Sequence, residues 1–204
     1  MSLENEIFPP GFPEKRHPDF VQTEWSHGWP FASIGYGEAA RHLTQHRRDF
    51  QGAIDSVGLV VFYLQRHRVE LRLKELLVAH GVKADELRTH SLVALWKRCE
   101  AIIGADSDEW QQLDTAYGEL IRVLDKSDRN SDAYRYPVNP DGERHDRPPY
   151  IELVALERHV SSFVSMIDGY TDYSDEARRY EMEMRAQFEQ EMREVYGEDP
   201  FGQL

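Results

Sequence analysis

A single cysteine, Cys99, occurs among 204 residues, which excludes an internal disulfide framework and any metal site built from several thiolates. Its place on a helical pattern marks it as a buried thiol rather than a redox centre. No apolar run reaches the roughly 18 residues that a membrane span requires, and the N-terminus lacks the basic start and apolar core of a secretory leader. A cytoplasmic location is therefore the expectation. Basic residues are also scarce: 24 Lys and Arg face 37 Asp and Glu, for a formal net charge of −13. This argues against a broad cationic surface for duplex DNA, since nonspecific binding depends on neutralising phosphates, and leaves room only for a local basic cleft. The acidity is uneven, with ten Asp or Glu against four Arg in residues 171–204. There is no phosphate-binding glycine loop, no dinucleotide fingerprint and no Gly-x-Ser-x-Gly elbow, and no cofactor is expected.

What is present is helical. Residues 1–32 carry Pro9, Pro10, Pro13, Pro18 and Pro30 with Trp25 and Trp29, a composition that predicts an irregular arm. Apolar spacing then predicts a helix from Tyr36 to about His46 and a second from about Ile54 to Ala79, stopped by Gly81. Thr89 is the expected N-cap of a short helix through Leu92, Leu95 and Trp96 that ends near Gly104. A fourth helix is expected from about Ser107 to Leu124, and a fifth from Pro149 to about Ile167. Between the last two, residues 125–149 are rich in turn formers and predict a long loop, a length at which loops are more often functional than merely connecting. Beyond Gly169, Ala177, Tyr180, Met184, Phe188, Met192 and Val195 form a narrow apolar stripe at residues 174–196. That helix would pack on its own domain, on a second copy in a homodimer, or on a partner protein. The fold class expected is all-α: an up-and-down bundle of about five helices over residues 33–169, with the arm before it and an acidic helix and tail at 170–204.

The most informative stretch is 57–98. From Val57 to Leu64 only Gly58 breaks an apolar run, yet Arg66, His67, Glu70 and Lys74 follow at helical spacing on the same segment. Positions three and four apart share a face, so Glu70 can bridge Arg66 and Lys74 with His67 beside it. Burying such charges is costly unless they are paired or used. Two readings follow: a ladder that fixes packing, or a chemical site. His42 and His46 share the i, i+4 spacing that can chelate zinc, but Leu43 stands where an HExxH glutamate would, and no metal is expected there.

The strings FYLQRHRVELRLKELL, THSLVALW and DRNSDAYRYPVNPDG, in this order over roughly residues 36–168, resemble HEPN-like proteins, the higher eukaryote and prokaryote nucleotide-binding family. The resemblance implies a small helical bundle, commonly dimeric, found in prokaryotic toxin–antitoxin and antiphage defence systems and often acting as a metal-independent endoribonuclease. The chain departs from that family's nuclease signature, Arg then His after four to six residues at the last core helix. Arg135 lies ten positions before His145 and Arg147 twelve before His159, while the interval that does fit, Arg41 with His46, falls on the first helix.

Cleavage of RNA would need a base for the ribose 2′-hydroxyl and a cation for the phosphate. Arg66, His67, Glu70 and His90 are the candidate catalytic residues, with His67 or His90 as base. Lys74, Arg135 and Tyr136 are candidate substrate-binding residues, and Arg66 or Arg135 would supply the cation. His90 follows Thr89 at a helix start, where backbone amides favour an anion, although it could equally cap and pack. Arg135 and Tyr136 could instead hold down the long loop by a salt bridge and by stacking. The alternative to an RNA-binding effector is a catalytically inactive helical module that assembles through its C-terminal helix.

Overall fold

The computed structural model describes residues 28–148 and 150–196. Most of the expected arm, residues 1–27, lies outside them. Five α-helices are present among the described residues: α1 Gly28–Gln45, α2 Ile54–Ala79, α3 Leu92–Ile103, α4 Asp108–Ser127 and α5 Leu153–Tyr196. There is no strand among these residues, only one isolated bridge between Val138 and Arg144. The protein is an all-α helical bundle, as its periodicity predicts. No described helix is long and apolar enough to cross a membrane.

Helix α2 is central because apolar residues surround it. Val61, Val69, Leu73, Leu76 and Leu77 on one side of the helix are each at most 1% exposed, and Leu71 and Lys74 on the other side are buried as well. It ends where expected: Gly81 takes φ +88, and the Val82 amide donates back to the Leu77 carbonyl at 3.0 Å, the closure that a left-handed glycine permits. Helix α1 lies antiparallel against it, Ala40 packing with Val61 and Leu153. The Arg68 side chain lies over Gly37, where an added Cβ would meet its Nε at 2.6 Å. Helix α5 runs parallel to α2, with Leu153 beside Gly58, Glu157 accepting from Gln65 and Asp168 pairing with Arg72 at 2.8 Å. The long 128–152 connection carries the chain to the start of that parallel path. Helices α3 and α4 are antiparallel, joined by Ser91 to Asp125 at 2.9 Å and Trp96 to Asp114 at 2.8 Å. Cys99 is fully buried among them, and burial pushes its thiol up to about 12, so it is largely protonated at neutral pH.

Several boundaries differ from the expectation. Helix α1 begins at Gly28, eight residues before Tyr36, because Pro30 falls in the first turn, where its missing amide costs nothing. Ser91 rather than Thr89 caps α3: the Ser91 hydroxyl accepts from the Ala94 amide at 3.2 Å, while Thr89 accepts from the Ser91 amide at 3.1 Å. Helix α5 starts at Leu153, where the Glu152 carboxylate accepts from the amides of Val154 at 3.1 Å and Ala155 at 2.5 Å.

The expected break at Gly169 is absent. One 44-residue helix runs through it, since glycine weakens a helix without forbidding it. An added Cβ at Gly169 would meet nothing within 4 Å. Gly169→Ala is therefore expected to raise the unfolding free energy by about 0.5–1 kcal/mol, read as an increased urea midpoint; no increase would place the helix end near residue 169 after all. On the outer part of α5, Tyr173, Tyr180 and Met184 are exposed. The side chains of Ala177, Phe188, Met192 and Val195 lie outside the described residues.

Candidate functional site

Helical spacing brings the polar ladder of α2 together as a buried hub on Glu70. The Arg66 guanidinium donates to Glu70 Oε2 at 2.6 Å, with side-chain exposures of 0% and 1%. The Lys74 ammonium donates to Glu70 Oε1 at 2.8 Å. His90 arrives from the segment before α3 and places Nδ1 3.0 Å from the same Oε1. His67 Nδ1 lies 3.8 Å from Oε2, an ion-pair distance rather than a hydrogen bond.

Burial alone would raise the Glu70 pKa. The contacts from His67 and Lys74, with the charges of Lys74 and Arg66, outweigh it and hold the carboxyl well below the ordinary carboxylate range. A depressed folded pKa means that stability from this ionisation is complete above the unfolded value and is lost as pH falls through the folded one. Stability is accordingly expected to decline below about pH 4, and Glu70→Gln should flatten this acid limb in urea titrations. An unchanged acid limb would show that Glu70 is not the group being protonated.

Arg66 reaches further than Glu70. Its Nε donates to the Asp128 carbonyl at 2.8 Å and lies 3.9 Å from Asp128 Oδ2. Its Nη2 donates to the His90 carbonyl and lies 3.5 Å from the Arg129 carbonyl. One guanidinium thus ties α2 to the chain before α3 and to the start of the long connection. The Asp128 carboxylate, 0% exposed, closes the next turn by accepting from the amides of Asp132 at 2.8 Å and Ala133 at 2.9 Å. Asp125, also buried, accepts from the Ser91 hydroxyl and from Arg129 Nε at 3.3 Å.

The 133–136 turn returns over α2. Tyr134 stacks on Phe62 with ring centroids 3.9 Å apart, and burial pushes its phenol up to about 12. Arg135 sits over the Tyr63 ring at 5.4 Å, and Tyr63 in turn stacks on His67 at 5.6 Å. Tyr36 also meets His67, in a T-shaped arrangement with ring centroids 4.8 Å apart. Arg135 and Tyr136 are therefore joined to the ladder through Tyr63, one helical turn before His67.

The seven expected site residues separate by accessibility. Arg66, Glu70 and Lys74 are buried, and the Arg66 donors are committed to protein acceptors, so its expected role as a phosphate-stabilising cation is replaced by that of an internal tie. His67 is 19% exposed and in ring contact with two tyrosines. His90, at 49% exposure, and Arg135 and Tyr136 on the turn face solvent. Sequence reading did not single out Asp128, Tyr63, Asp125 or Arg147. Only Tyr63 left a signal, its i, i+4 spacing to His67.

The other histidine pair stands apart. His42 and His46 are exposed with ring centroids 4.2 Å apart, and His46 Nδ1 is spent on the His42 carbonyl at 2.9 Å. Among the described residues no group of three or more His, Cys, Asp or Glu is placed to hold a metal ion. In comparisons with known proteins, no family model, curated protein or solved structure matches the chain.

Proposed function

We propose that the chain is a HEPN-like protein of a prokaryotic defence or toxin–antitoxin type that binds RNA or a nucleotide and cleaves RNA without a metal. The observation that carries this reading is the His90–Glu70 contact. A carboxylate 3.0 Å from Nδ1 favours the tautomer with its proton on that nitrogen, and on a ring that is 49% exposed this assigns the role of base to Nε2. His90 Nε2 takes the 2′-hydroxyl proton, the 2′-oxygen bonds to phosphorus, and the bond from phosphorus to the 5′-oxygen breaks. The leaving 5′-oxygen takes up a proton from water, giving a 2′,3′-cyclic phosphate and a 5′-hydroxyl, and His90 later returns its proton to solvent. Arg135 supplies the cation facing the phosphate.

Incubation of the protein with labelled single-stranded RNA in EDTA tests this. Cleavage by wild type that His90→Ala abolishes supports it; no cleavage across several RNAs rejects the catalytic reading. A second reading, a catalytically inactive module that forms a homodimer or binds a partner protein through residues 174–196, draws support from exposed Tyr180 and Met184. Deleting residues 171–204 is expected to lower the mass measured by light scattering to that of a monomer, and an unchanged oligomer would remove that role.

A further inference from the structure

We infer that the 133–136 turn is a ledge for one unpaired nucleobase, stacked on Tyr136, with an adjacent phosphate held by Arg135. This rests on the RNA reading above and narrows it to short, unpaired segments held by few phosphates. The Tyr136 ring has the Arg135 guanidinium 5.5 Å from its centroid, and Tyr136 is still 55% exposed. An exposed aromatic is ordinarily free to move, and ordering it has an entropic cost. Here the backbone beneath it is fixed. Arg147 donates to the Ala133 carbonyl through Nε and to the Tyr136 carbonyl through Nη2, each at 2.6 Å. Arg135 Nε donates to the Ser131 carbonyl, and the Asp128 carboxylate holds the amides at the start of the turn. Such preorganisation favours a flat ligand, since it removes the ordering cost at the moment of binding.

The chemistry of that ligand follows from the pairing of ring and cation. Every base has a π-face that an aromatic ring can stack on, but a duplex hides those faces. The Nη groups of Arg135 have no hydrogen-bond or ion-pair partner among the described residues, which leaves them for a phosphate oxygen. A net charge of −13 disfavours tracking a long phosphate backbone, and the single cation of the ledge, Arg135, sets one or two phosphate contacts.

Fluorescence anisotropy with a labelled 2′-O-methyl oligoadenylate hexamer, which cannot be cleaved through its 2′-oxygen, tests the assignment. Tyr136→Ala is expected to bind about tenfold more weakly and Tyr136→Phe like wild type, a typical loss for one stacked base. An abasic hexamer should lose about the same factor with wild type, a readout that does not depend on any variant folding. The salt slope should be about −0.7 per phosphate contact, hence shallower than about −1.5. Wild type that binds the hexamer with no loss in Tyr136→Ala or with the abasic strand overturns the ledge and leaves the RNA reading standing. Wild type that binds neither the hexamer nor adenosine monophosphate overturns both.

Discussion

Replacing Arg66 with alanine is expected to lower the unfolding free energy by about 3–5 kcal/mol, the usual cost of removing one member of a buried ion pair. The side chain is fully buried, and its donors meet the Glu70 carboxylate and the carbonyls of Asp128, His90 and Arg129. Alanine leaves those acceptors in the interior with no solvent to replace the guanidinium. Lysine cannot rescue the position, because an ammonium on a flexible stem does not reproduce a planar fork aimed at three segments at once. Lys74→Ala should cost much less, since among the described residues Lys74 reaches only Glu70 and Arg66 remains to pair that carboxylate. Urea midpoints for the three variants check this order. A loss below about 1 kcal/mol for Arg66→Ala, in the range of an exposed pair, would show that the guanidinium is not the internal tie described above.

The second large effect falls on activity. His90→Ala is expected to reduce RNA cleavage by about 10²–10⁴-fold, the usual contribution of a positioned general base, while shifting stability by no more than about 0.5 kcal/mol, as for most surface substitutions. The two quantities separate because His90 is half exposed and Glu70 keeps Arg66 and Lys74 without it. His90→Gln retains a donor towards Glu70 but has no basic nitrogen, and it should be as inactive as the alanine variant. Cleavage retained in both folded variants would move the base elsewhere.

The ladder was legible because helical spacing is a local property. Arg66, Glu70 and Lys74 follow at intervals of four, and their contacts at 2.6 and 2.8 Å need nothing beyond one helix. His90 was legible as a candidate, but its meeting with Glu70 depends on how the 80–91 segment returns, which no periodicity records. Asp128 was hidden for a related reason. It reads as one more turn former among several, and only folding places it beneath Arg66. A sequence shows that Arg66 is a cation, not that its donors are taken by Glu70, Asp128 and His90. Helix ends failed where a residue has two uses. Pro30 breaks a helix interior but not a first turn, and Gly169 stops a helix only when the following residues depart from the helical path. At Gly81 they do depart, and the predicted stop is found.

The orientation of His90 is the most direct test of the Glu70-centred hub. In ¹⁵N-labelled protein, two-bond ¹⁵N–¹H correlation spectra of the neutral imidazole should place the His90 proton on Nδ1, facing the Glu70 carboxylate, with Nε2 unprotonated, and Glu70→Gln should weaken that preference. A neutral His90 carrying its proton on Nε2 in the wild-type protein would contradict the hub.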